Sequence, residues 1–224
     1  MTWENEKNNF YNFILDNNII GLFKEPIKLK SGRLSYWYIN WRNIASNVFL
    51  LDQLINYLLS FIDHLGLRPN CFYGVPEGAT KLGIITQYKW AKRQQNYRSG
   101  NYPLSMGRGK QKEHGDPKDR FFVGIPNGET VILEDVTTTG GSLINTIKKL
   151  KELNVTIIAA IGLTNRNELR DDGKSVKDII LEYNVHYYAM SNAIELLPKI
   201  EINKDIAKHI EEYFMKYGTK RIQL

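Results

Sequence analysis

Cysteine is almost missing from this chain. Cys71 is the single one among 224 residues, which excludes an internal disulfide framework and any thiol-pair zinc site and points to a reducing, intracellular compartment. Long apolar runs are missing as well. No segment approaches the roughly 18 to 20 apolar residues needed to cross a bilayer, and the opening residues MTWENEKNNFY hold no stretch that could act as a signal peptide. The expectation is a soluble, unprocessed, cytoplasmic protein with no membrane partner. There is no internal repeat and no low-complexity tract, and the length suits one large α/β domain with a sizeable core.

What is present is unevenly spread. The net charge is +6, and residues 92–120 hold eight basic side chains against Glu113, Asp116 and Asp119, a local excess of +5. Such clustering serves an anionic partner, either nucleic acid or a small ligand carrying several phosphates. The same segment is glycine-dotted and lacks apolar periodicity, so residues 94–120 read as one long loop, and a loop of that length in a compact domain is usually functional or mobile.

Regular patterning surrounds it. Residues 47–65 carry Leu51, Leu54, Leu58 and Ile62 on one helical stripe, residues 71–75 read as a short buried strand, and residues 78–93 are helical in character. Residues 130–134 read as a strand, Ser142 can cap a helix bearing Leu143, Ile144, Ile147 and Leu150, and residues 155–163 form a β-branched, nearly continuous apolar run. Strand, helix, strand in that compass is a βαβ unit with a parallel sheet. Residues 179–189 suggest a further strand and residues 204–217 a terminal helix. The first 40 residues fall outside this rhythm and predict a small cap, built from a helix over 3–15 and an aromatic strand near 36–39.

The chemistry concentrates in VILEDVTTTGGSL, residues 131–143. In an open parallel sheet, ligands bind beyond the carboxyl ends of the strands. There the loop of Thr137, Thr138, Thr139, Gly140, Gly141 and Ser142 offers backbone N–H groups and hydroxyls to an anion at the start of a helix. Gly140 and Gly141 let the backbone approach closely. The pattern is neither G-x-x-x-x-G-K-[ST] nor G-x-G-x-x-G. Instead two acids, Glu134 and Asp135, precede the loop, and paired carboxylates beside a phosphate suit sugar hydroxyls or a bound Mg²⁺.

These residues resemble the phosphoribosyl pyrophosphate (PRPP) motif of type I phosphoribosyltransferases, in which the acids hold ribose hydroxyls and the loop holds the 5-phosphate. Three further segments are similar to the orotate phosphoribosyltransferases among them. LKSGRLSYWYIN, residues 29–40, resembles the segment bordering the orotate pocket and implies roles for Lys30 and Tyr38. RGKQKEHG, residues 108–115, resembles the mobile catalytic loop and implies that Arg108, Lys110, Lys112 and His114 embrace pyrophosphate. LTNRNE, residues 163–168, resembles the strand end that presents an orotate-binding arginine, here Arg166. GVPEGATKLG, residues 74–83, looks like the pyrophosphate-side loop, with Lys81 as its cation. Three positions depart from the family pattern: Gly109 where a basic residue is common, Asn165 where aspartate often precedes the arginine, and Glu77–Gly78 where a lysine often lies near the proline.

The resemblance implies a central, mostly parallel sheet flanked by helices with an N-terminal hood over about residues 1–40 and a core over about 41–224, forming one domain. It also implies transfer of phosphoribosyl from PRPP to orotate, with Asp135, Lys112 and His114 nearest the chemistry. Mg²⁺ would be held mainly through PRPP, with Asp135 as the candidate protein contact. A homodimer sharing the catalytic loop, and no nucleic-acid partner, complete that picture. Two alternatives stay open at this point: a purine or uracil phosphoribosyltransferase, and a PRPP-binding regulator of the same fold that binds nucleic acid. His64, His186 and His209 have no catalytic context, and Trp37, Trp41 and Trp90 are read as core.

Overall fold

Parallel pairing of four buried strands organises the chain. The structure is a computed structural model that describes residues 3–109, 113–114 and 121–224. In chain order the elements are α1 (Trp3–Asp16), β1 (Ile20–Lys28), β2 (Leu34–Ile39), α2 (Arg42–Ala45), α3 (Val48–His64), β3 (Cys71–Gly74), α4 (Thr80–Lys92), β4 (Met106–Gly107), β5 (Phe122–Val123), β6 (Thr130–Thr137), α5 (Gly141–Glu152), β7 (Ile157–Asn165), α6 (Val176–Leu181), β8 (Tyr187–Asn192), α7 (Ala193–Leu196) and α8 (Lys204–Tyr217). The central sheet has the order β3-β6-β7-β8, with all three pairings parallel.

Strand periodicity sorts the core into two layers. Phe72, Val131, Leu133, Ala159, Ile161 and Leu163 point to the face covered by α1, α3 and the N-terminal hairpin. Tyr73, Ile132 and Ala160 point to the other face, where Leu143, Ile147 and Leu150 of α5 and Ile180 of α6 cover them. Both faces are buried, which is why these strands read as nearly continuous apolar runs. Trp37, Trp41 and Trp90 are core residues as expected.

At the first strand-to-helix turn the backbones themselves are in contact. A Cβ on Gly74 would collide with the Ala79 carbonyl, and one on Gly83 would collide with the Gly74 backbone. Glycine at both positions lets α4 sit directly on β3, fixing the turn between them.

The N-terminal cap has one element more than the sequence suggested. β1 pairs antiparallel with β2, with an irregularity between Leu22 and Ile27. The turn that joins them is closed by Leu29 N–H donating to the Arg33 carbonyl at 2.8 Å, with Gly32 at φ 85°. This carries Lys30 over the carboxyl end of the sheet. Trp41 Nε1 donates to Thr164 Oγ1 at 3.1 Å and ties the hood to β7.

Three other expectations are corrected. Residues 179–189 are not one strand: α6 ends at Leu181, Asn184 turns the chain at φ 52°, and β8 begins at Tyr187. Ser142 does not cap α5, whose N-cap is Gly140 at φ 75° with Ser142 already inside the first turn. Residues 94–120 are not all loop, because Met106 and Gly107 form β4 and pair antiparallel with β5.

Candidate active site

β6 runs further than its apolar residues suggested. Val136 pairs with Thr164 and Thr137 with Asn165, so Asp135 lies within the strand together with Glu134, and the strand ends three residues later than expected. They face a cleft of about 470 Å³ at the carboxyl end of the sheet. Its walls include Lys30, Tyr38, Glu134, Asp135, Thr137, Thr138, Thr139, Gly140, Gly141, Ser142 and Arg166. Eleven residues singled out from sequence therefore meet in one cavity. A left-handed Gly140 starts α5 directly from the loop, so the unpaired N–H groups of the first helical turn and the positive end of the helix dipole face the same space. Lys30 Nζ donates to Ser142 Oγ at 3.1 Å, which joins the hairpin tip to this anion cradle.

The two acids have different surroundings. Glu134 is buried, and burial followed by the neighbouring Asp135 charge pushes its pKa well above the usual glutamate range, while Lys30 pulls the other way. Behind it Tyr187 Oη and Thr137 Oγ1 share a hydrogen bond of 2.5 Å. Gly162 opposite Glu134 leaves room for that tyrosine, since a Cβ there would meet its hydroxyl. Asp135 is half-buried, and its Oδ1 accepts from the Val136 N–H at 2.9 Å.

A raised pKa in the fold means that the protonated form of Glu134 stabilises the protein and that this contribution is lost as pH rises. Glu134→Gln should therefore match the ligand-free wild type in Tm near the ordinary glutamate pKa of about 4.3. Above it the variant should become the more stable protein, the gap widening until the pH passes the raised pKa of Glu134. Thermal unfolding of both proteins across that pH range is the check, and a pH-independent difference would contradict the assignment.

Sequence reasoning missed part of the wall. Gly78, Asn40, Arg42 and Asn145 also line the cleft. Gly78 is there for space, because an added Cβ would fall on the Asp135 carboxylate. A Cβ on Gly109 would meet the carboxylate of the exposed Glu77, so these two departures from the family pattern lie against each other.

Other expected residues stand elsewhere. Lys81 is exposed on α4 and does not line the cleft. Arg108 and His114 are not among its lining residues either, although the Arg108 N–H donates to the Phe121 carbonyl at 2.8 Å beside the β4–β5 ladder. Lys110 and Lys112 lie outside the described residues. Among the described residues no group of three or more His, Cys, Asp or Glu side chains could hold a metal ion. The two carboxylates of the cleft fit a cation whose other ligands come from a bound phosphate compound. Among the described residues no helix is long and apolar enough to cross a membrane.

The parallel sheet, the acids at its carboxyl end and the threonine-glycine loop opening a helix make this a type I phosphoribosyltransferase fold. The solved structure of orotate phosphoribosyltransferase from Francisella tularensis superposes with a TM-score of 0.67, covering 94% of this chain and 99% of that one at 22% identity. In sequence, the orotate phosphoribosyltransferase of Rhodopseudomonas palustris is 34% identical over 157 residues, 63% of this chain and 74% of the relative. That of Methanosphaera stadtmanae is 28% identical over 162 residues, 72% of this chain and 83% of the relative. No family model matches the chain. The chain belongs to the orotate phosphoribosyltransferase family.

Proposed function

We propose that the protein transfers the phosphoribosyl group of PRPP to orotate, giving orotidine 5'-monophosphate and pyrophosphate. The observation that carries this reading is the junction of the Glu134–Asp135 pair with the Thr137–Ser142 loop in one cleft, faced by Lys30, Tyr38 and Arg166. A phosphate suits the loop and the helix end, a ribose suits the acids, and a small planar acid suits the space beneath the hood. The bond from the anomeric carbon to the pyrophosphate oxygen breaks, with its electron pair leaving on that oxygen. A bond from that carbon to a ring nitrogen of orotate forms, and the nitrogen's proton goes to solvent. Positive charge builds on the ribose and negative charge on the leaving group, so positioning and electrostatic neutralisation are the main tasks of the protein.

In this reading Glu134 and Asp135 hold the ribose, and Lys30, Tyr38 and Arg166 hold orotate. Arg108, Lys110, Lys112 and His114 neutralise pyrophosphate, and Lys81 would need to reach the site from the outer face of α4. Mg²⁺, when bound with PRPP, supplies further neutralisation of pyrophosphate. Residues 1–40 then serve as the hood and 41–224 as the core of one domain. The same reading includes a homodimer in which the loop of one chain serves the neighbour's site, and a cytoplasmic location.

The test is PRPP-dependent loss of orotate absorbance with the purified protein, with adenine and uracil as competing acceptors. Consumption of orotate alone is the expected result. Transfer to adenine or uracil, or no PRPP-dependent change, would overturn the assignment.

A further inference from the structure

Arg166 is held in an ion-paired cluster that spans three distant parts of the chain. Its Nε donates to Glu168 Oε1 at 2.6 Å, and its Nη2 donates to Ser35 Oγ at 3.1 Å. Its guanidinium stacks on the Trp37 ring, 3.6 Å from the centroid. The other Glu168 oxygen accepts from Arg33 Nη1 at 3.0 Å, and the Arg33 guanidinium lies 4.4 Å from the centre of the Tyr217 ring. The backbone around Glu168 is clamped as well. Leu169 N–H donates to the Tyr217 carbonyl at 2.7 Å, and Thr219 N–H donates to the Asn167 carbonyl at 2.8 Å.

Charge and burial give this cluster a direction. Arg33, Arg166 and Glu168 are 8%, 2% and 1% exposed. Two guanidinium ions against one carboxylate leave the buried trio with an excess of one positive charge. Asp171, which accepts from Arg33 Nη2 at 2.9 Å, has a fully solvated side chain and screens little of that excess. Of the three, Arg166 is the one that lines the cleft. A carboxylate shared by two arginines is therefore not simply cancelling the charge of Arg166. It fixes the plane of the guanidinium through Nε, while Nη2 rests on Ser35 Oγ and Nη1 donates to the Trp37 carbonyl at 3.5 Å, so the group is held at the cleft wall in one orientation.

We propose that Glu168 is a positioning residue for orotate recognition, locking Arg166 with help from Ser35, and that Arg33 and the C-terminal residues 217–219 hold Glu168 in place. The proposal rests on the orotate reading of the site. It gives the C-terminal helix a part in substrate selection, through Tyr217 at its end.

Glu168→Gln separates positioning from charge. Removing the carboxylate charge raises the positive excess of the trio, so a purely electrostatic account predicts tighter orotate binding and a lower orotate KM. Positioning predicts the reverse: an orotate KM raised about tenfold, in line with the loss of other residues that orient a ligand-binding group, with the PRPP KM near the wild-type value. Ser35→Ala, which changes no charge and removes the hydroxyl at Nη2, should raise the orotate KM in the same selective way. It also carries the test if Glu168→Gln does not fold. A wild-type protein that fails to consume orotate would overturn the underlying functional reading. An active wild type whose folded variants show an unchanged or lowered orotate KM, or equal changes for both substrates, would overturn the positioning role alone.

Discussion

Arg166→Met is expected to give a protein that is markedly less stable and has lost orotate recognition while keeping its PRPP site. Methionine preserves much of the volume stacked on Trp37, so the main loss is the charge. Glu168, 1% exposed, then keeps Arg33 as its buried ion-pair partner among the described residues. Breaking a buried pair by removing one member typically costs about 3 to 5 kcal/mol, and the remaining arginine puts this case near the lower end. That is a large share of a net stability of roughly 5 to 15 kcal/mol. Denaturant midpoints would measure it. Replacing both charges in Arg166→Met/Glu168→Gln should recover part of the stability, because no full carboxylate charge is left with a missing partner. It should not recover orotate KM. A single variant as stable as the wild type would mean that the Arg166 contact does little for Glu168. Stability lost with an unchanged orotate KM would make Arg166 structural.

What could be read from sequence here depended on how local the signal was. The acids, the threonines and the glycines of β6, its loop and α5 stand within nine consecutive residues, 134–142, and their chemistry is visible without the fold. The helix over 48–64 and the strands over 71–74 and 157–165 announce themselves through burial on one stripe or on both faces. β1 does not. Its sequence IGLFKEPIK contains a proline and three charges, and its second half is largely exposed, so neither alternation nor apolar content marks it as a strand.

α6 was hidden for another reason. Six residues are too few to show a helical period, and Val176, Ile179 and Ile180 blend with the apolar strand that follows. The available signal was a start signal: Ser175 and Asp178 form a capping box. The Arg33–Glu168 contact joins positions 135 residues apart, and Lys30 reaches Ser142 across 112. Nothing in local pattern encodes such pairs. Lys81 shows the opposite case, since motif likeness suggested a site contact while helix geometry turns Leu82 and Gly83 inward and places Lys81 on the exposed side of α4.

Asp135→Asn should lower kcat/KM for PRPP by about 10- to 100-fold with the fold intact, a loss of roughly 1 to 3 kcal/mol of transition-state stabilisation. The substitution is nearly isosteric, and the Oδ1 that accepts from Val136 can be kept, so the experiment reads the charge at the ribose or cation contact. Gly78→Ala tests the same carboxylate from the opposite side. It removes no charge, but its methyl group would occupy the place of the Asp135 carboxylate. Gly78 is not among the positive-φ glycines, so the backbone accepts alanine and the strain must fall on Asp135. A shifted carboxylate should depress kcat/KM for PRPP to a similar degree, because misplacement of a positioning group by even an ångström is costly. Steady-state kinetics with PRPP varied at saturating orotate, alongside thermal unfolding, would measure both. If Asp135→Asn is impaired and Gly78→Ala is not, the carboxylate tolerates displacement and contributes mainly through its field. Wild-type kinetics in both folded variants would remove Asp135 from the PRPP site.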